Sequence, residues 1–63
     1  MTNKEIILAY LTMIAPRSAT NADIVARTGV KPHQQVFQIT QSLLARGEIN
    51  GRQIGREWEF WAS

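Results

Sequence analysis

The sequence predicts an α+β domain in which three helices precede a two-stranded β-hairpin. Three observations carry this. Thr2 with Glu5 and Thr20 with Asp23 each have the spacing of a capping box, in which a hydroxyl and a carboxylate satisfy each other's backbone N–H at a helix start. Val36, Ile39, Thr40 and Leu43 recur at helical spacing between Pro32 and Gly47. The segment from Glu48 to Trp61 is punctuated by Gly55 and ends in Trp58-Glu59-Phe60-Trp61, the composition of a hairpin.

Taken in order, the first helix starts near Asn3. Ile7, Leu11 and Ile14 form its apolar face, with Ile6, Tyr10 and Met13 beside them. Pro16 ends it, because the residue before a proline is pushed out of the α region. Arg17-Ser18-Ala19 reads as a connector. The second helix spans Asn21 to Thr28 with Ile24 and Val25 inward, and Gly29 supplies the positive φ wanted just past a helix end. Val30 is expected to plug the core from the turn. Pro32 suits the first position of the third helix, where no N–H is needed. That helix is predicted over 32–46 and closed by Gly47. Gln34, Gln38, Gln41 and Ala45 lie opposite its apolar stripe; Gln35 and Ser42 flank that side, and Phe37 borders it. Glu48 to Gln53 reads as a strand with Ile49 inward, Ile54-Gly55-Arg56 as a turn, and Glu57 to Trp61 as the return strand. By period 2, Trp58 and Phe60 share one face, while Trp61 points the other way. Glu57 and Glu59 oppose Trp58 and are expected in solvent.

The 63 residues make a single domain, 1–63, and a chain of this size buries only about 60% of the surface it exposes when unfolded. It has no cysteine, so no disulfide or thiolate metal site can staple it. No apolar run reaches the ~18 residues of a membrane span. Ile6 to Ile14 is apolar but short and preceded only by Lys4, which argues against a signal peptide and for a cytoplasmic location. The net charge is +2 but uneven. From Ile24 to Arg56 there are five basic residues (Arg27, Lys31, Arg46, Arg52, Arg56) and one acid (Glu48), a net of +4 against −2 for the remainder. Such asymmetry suits a polyanion partner and equally suits an ordinary solvated surface.

Four glutamines fall within eight residues of the third helix: Gln34, Gln35, Gln38 and Gln41. A glutamine amide both donates and accepts, which matches N6 and N7 of adenine; it also binds phosphate oxygens without reading sequence. The same residues make a neutral solvated face of good helix formers. Lys31 and His33 sit at the helix N-terminus, where the dipole and free N–H groups favour phosphate. His33 is the only histidine and has no ligand-spaced partner, so no metal site is expected. Arg52 and Arg56 lie on either side of Gly55, as contacts to a DNA backbone or minor groove or as solubilising charges. Arg17, Arg27 and Arg46 are weaker candidates. Trp58 and Phe60 read as core; Trp61, facing away, can stack on a base, touch a methyl group or dock a partner. No catalytic constellation, phosphate loop or cofactor motif is present, so an enzyme is not expected.

The run from Thr20 to Gly47 with the hairpin to Trp61 resembles the winged helix-turn-helix superfamily over nearly the whole chain. That resemblance implies a duplex-DNA-binding module with its third helix in the major groove and its wing on the backbone or minor groove. The turn carries one residue more than in many bacterial regulators of that class, around Lys31-Pro32-His33, which leaves open which glutamine enters deepest. More narrowly, Pro32-His33-Gln34-Gln35-Val36-Phe37-Gln38-Ile39-Thr40 with Gly55-Arg56-Glu57-Trp58-Glu59-Phe60-Trp61 is similar to small winged-helix domains attached to restriction endonucleases. Some of these read adenine-methylated DNA, which implies an N6-methyladenine reader acting with a fused or associated nuclease. Phe37 or an exposed tryptophan would then touch the methyl group. The resulting expectation is contact through Lys31, His33, Gln34, Gln35, Phe37, Gln38, Gln41, Arg52, Arg56 and Trp61, by a monomer or weak dimer. A regulator of unmodified DNA, a protein-docking winged helix using Trp61 and Phe37, and an RNA or single-strand binder stacking bases on the C-terminal aromatics remain as alternatives.

Overall fold

The computed structural model describes residues 1–62. Three helices and three strands follow the order α1 (Asn3–Ile14), β1 (Ala19–Thr20), α2 (Asn21–Thr28), α3 (His33–Ala45), β2 (Asn50–Ile54) and β3 (Glu57–Trp61). Both capping boxes form. Thr2 Oγ1 accepts the Glu5 N–H at 3.2 Å while Glu5 Oε1 accepts the Thr2 N–H at 2.9 Å. Thr20 and Asp23 repeat the exchange at 3.1 Å in each direction. Gly29 adopts φ 75° and its N–H donates to the Val25 carbonyl. That places the short α2 between two local stops, each closing backbone groups that the helix cannot satisfy itself.

At the start of α3 the structure differs from expectation. Pro32 is the N-cap rather than the first helical residue, and its carbonyl accepts the N–H groups of Gln35 and Val36. The far end closes in a Schellman arrangement. Gly47 N–H donates to the Leu44 carbonyl at 3.0 Å and Glu48 N–H to the Leu43 carbonyl at 2.9 Å, with Gly47 at φ 75°.

The sheet is antiparallel with three strands in the order β1-β3-β2, where a two-stranded hairpin was expected. The residues read as a connector end in β1, which pairs Ala19 with Phe60 and Thr20 with Glu59. The hairpin is tighter and later than its composition suggested: β2 begins at Asn50, Ile54 pairs with Glu57, and Gly55-Arg56 alone form the turn. Gly55 at φ 62° in the first central position is what a type II′ turn needs. Ile49 is buried ahead of the strand rather than within it.

The core is one cluster: Ile7 and Leu11 from α1, Ile24 from α2, Val36 and Leu43 from α3, and Phe60 from β3, completed by Ala19, Val30, Ile49 and Ala62. Val30 plugs the turn as expected. Phe60 lies directly over Gly51, so a Cβ there would stand 2.8 Å from its ring. Thr40 is the buried polar side chain. Its hydroxyl donates to Asn21 Oδ1 at 2.8 Å and lies 3.1 Å from the carbonyls of Val36 and Phe37, which ties α3 to the start of α2. With Val36, Thr40 and Leu43 fully buried and Ile39 and Leu44 packed partly against the core, the arc carrying Gln34, Gln35, Phe37 and Gln38 is turned outward. No helix among the described residues is long and apolar enough to cross a membrane.

Candidate nucleic-acid interface

Burying one stripe of α3 sets the direction of every other side chain on it, at 100° per residue. Gln34, Gln35 and Gln38 are exposed, as is His33 at the first position; Phe37 keeps 40% of its surface in solvent. Gln41 departs from this face. It is half-buried, and its Nε2 is enclosed without a hydrogen-bond partner. α3 carries no acidic residue, so nothing on the outward arc repels an anion.

On one flank of that arc lies a groove of about 570 Å³ between the starts of α2 and α3 and the hairpin. It brings together the expected His33, Gln34, Phe37 and Arg56, and adds Gln53 and Trp58. The latter two are directly opposite on β2 and β3. Trp58 lies nearly parallel to Phe60, with centroids 6.1 Å apart and planes at 10°. Period 2 placed Trp58 in the core; it is half-buried at the core's edge and forms part of the groove wall. A two-residue turn at Gly55-Arg56 would have signalled this, since it sets Gln53 against Trp58 by counting outward from the tip. The opposite flank of α3 is a shallow depression of about 160 Å³ bordered by Lys4, Gln38, Ser42 and Leu43. Gln34 and Gln38 therefore border different hollows.

The other hairpin face is organised by charge. Arg52 Nε donates to Glu59 Oε1 at 2.6 Å across the strands, and Ser18 Oγ donates to Glu59 Oε2 at 3.1 Å. Glu59, expected in solvent, is thus largely covered, because β1 and Ser18 close over it. The Arg52 hydrogen bond holds its carboxyl below the usual glutamate range, opposed by desolvation and helped by Ser18. Arg52 consequently stands back from the tip and already has an anion, whereas Arg56 sits in the turn itself. Trp61 faces this side, half-buried, bordering an open depression with Pro16, Arg17 and Arg52.

Among the other cations, Lys4 and Arg46 approach Glu48 at 3.3 and 3.9 Å. Lys31 and Arg56 are exposed and have no ion pair among the described residues. No group of three His, Cys, Asp or Glu able to hold a metal is found among the described residues. The α+β layout is compatible with a winged-helix-like arrangement. Comparison with family models, with curated proteins and with solved structures finds no match to this chain.

Proposed function

We propose that the domain binds duplex DNA, with α3 in the major groove and the hairpin against the backbone or minor groove. The observation that carries this reading is the outward arc of α3: exposed amides at Gln34, Gln35 and Gln38 and no acid, with cations that have no ion pair among the described residues at Lys31, just before the helix, and Arg56, in the hairpin turn. Exposed amides can form paired hydrogen bonds with an adenine edge, while the two cations supply sequence-independent attraction to phosphates. Arg52 takes a lesser part, because binding a phosphate would require it to leave Glu59.

Phe37 supports a finer reading. It is an apolar surface on the same arc as the amides, 40% exposed. A methyl group on adenine N6 projects into the major groove and would meet such a surface as a thymine methyl does. In this reading the domain selects adenine-methylated sites for a fused or associated nuclease.

A salt-controlled titration against pooled duplexes, unmodified and adenine-methylated in parallel, tests both levels. Enrichment of one methylated motif supports the finer reading. Enrichment indifferent to methylation leaves a sequence-specific DNA binder and removes the methyl contact. Absence of binding to either pool at low salt overturns the DNA reading and favours a protein partner.

A further inference from the structure

The duplex reading uses the outward arc of α3 and assigns no occupant to the groove beside it, whose wall shares Gln34, Phe37 and Arg56 with the duplex contacts. That groove differs from the rest of the surface in three respects. It is walled by two aromatic side chains from different elements, Phe37 of α3 and Trp58 of β3. Trp58 is held in orientation by its parallel contact with Phe60, which is itself completely buried, so the ring is a fixed platform rather than a loose side chain. The polar groups around these rings include the amides of Gln34 from α3 and Gln53 from β2, each offering a donor and an acceptor, beside Thr20, Asn21 and His33.

A planar ligand with an apolar face and a hydrogen-bonding edge fits this combination. The volume of about 570 Å³ lies within the roughly 300–1,000 Å³ of ordinary small-ligand sites. Arg56 at the rim has no ion pair among the described residues and would sit beside the phosphate that such a ligand carries. Glu57 is the single acid on the wall, and a carboxylate there can accept from an exocyclic amino group.

Resting on the duplex reading above, we propose that the groove between α3 and the hairpin receives one unpaired nucleobase of the bound DNA. The base stacks against Trp58 and Phe37, and the amides of Gln34 and Gln53 take its edge. Stacking on aromatic side chains tolerates any base, so this site recognises the absence of pairing while α3 reads the flanking duplex.

The test uses two duplexes of the preferred sequence, identical except that one carries a single extra unpaired adenine. Each is titrated into the full chain at fixed salt, and emission is followed in a Trp61→Phe background so that Trp58 is the sole reporter. The bulged duplex should bind tighter by on the order of 10-fold and quench Trp58. Gln53→Ala, at an exposed strand position outside the duplex contacts, should reduce that preference and leave affinity for the paired duplex within about twofold. Trp58→Leu, which keeps apolar volume against Phe60, should do the same. Equal affinity for the two duplexes with unquenched Trp58 overturns the base site and leaves the duplex reading standing. A preference that survives Trp58→Leu also overturns it, because the bulge would then be favoured for its flexibility alone. Failure to bind either duplex overturns the duplex reading itself.

Discussion

The two helices that meet at Val30 are built in opposite ways. α2 is closed from within: Thr20 and Asp23 satisfy its first turn, and Gly29 ends it in the left-handed region. α3 starts at Pro32, whose side chain accepts nothing, so its first turn has no side-chain cap. The eight residues of α2 hold themselves by local bonds around one fully buried side chain, Ile24. α3 has 13 residues and is held by three, Val36, Thr40 and Leu43. A helix fixed from its inner side needs nothing from its outer side, which leaves that side free for amides and an exposed phenylalanine.

The largest effect that sharpens this contrast is Ile24→Ala. It should cost about 2–5 kcal/mol, read from urea unfolding, and a loss below 1 kcal/mol would mean that α2 does not depend on the shared core. Next comes Gln38→Ala, expected to weaken the preferred duplex by about 1–3 kcal/mol with unfolding unchanged. Equal weakening on every sequence would make Gln38 a backbone contact. Thr20→Ala should cost about 1 kcal/mol of stability and leave duplex affinity per folded molecule untouched; a comparable loss of affinity would show that the closed helix also reads DNA. Between the two hairpin arginines, Arg56→Ala should lower the slope of log affinity against log salt by about 1. Arg52→Ala should barely move it, because Glu59 already neutralises that charge; the reverse order would show that the ion pair opens on binding. The smallest effect is on pH. Glu59 is held below its ordinary value by Arg52, and Glu5 by the Thr2 N–H. Both therefore favour the folded state above the ordinary glutamate pKa, and that contribution is shed as pH falls through the lowered values. The thermal midpoint should be flat above about pH 5 and fall below it, less steeply in Glu59→Gln.

What was legible in the sequence follows the same division. The bounds of α1 and α2 were readable because their stops are local: a hydroxyl and a carboxylate three residues apart, then a proline or a glycine. β1 was not, since two residues carry no periodicity and Ala19 and Thr20 are extended only because Phe60 and Glu59 lie alongside. The outward glutamines of α3 followed from its apolar stripe, but the half-burial of Gln41 depends on neighbouring elements that the helical period does not contain. The hairpin turn is one residue shorter than its composition suggests. A three-residue turn put Arg52 near the tip, and the two-residue turn set it against Glu59. A slip of that size also conceals Trp58 and Gln53 as a facing pair, and with them the groove.

The sheet order places the last strand in the middle: β3 is bordered by β1 on one side and β2 on the other. Neither neighbour has a partner until Trp61 has been added to the chain. During synthesis the capped helices can flicker into shape as they emerge, but the sheet and the Phe60 anchor of the core arrive together, only once β3 has been made. A ribosome that stalls before Glu57 therefore holds a chain without its centre, and folding waits for the closure that joins Thr20 to Glu59.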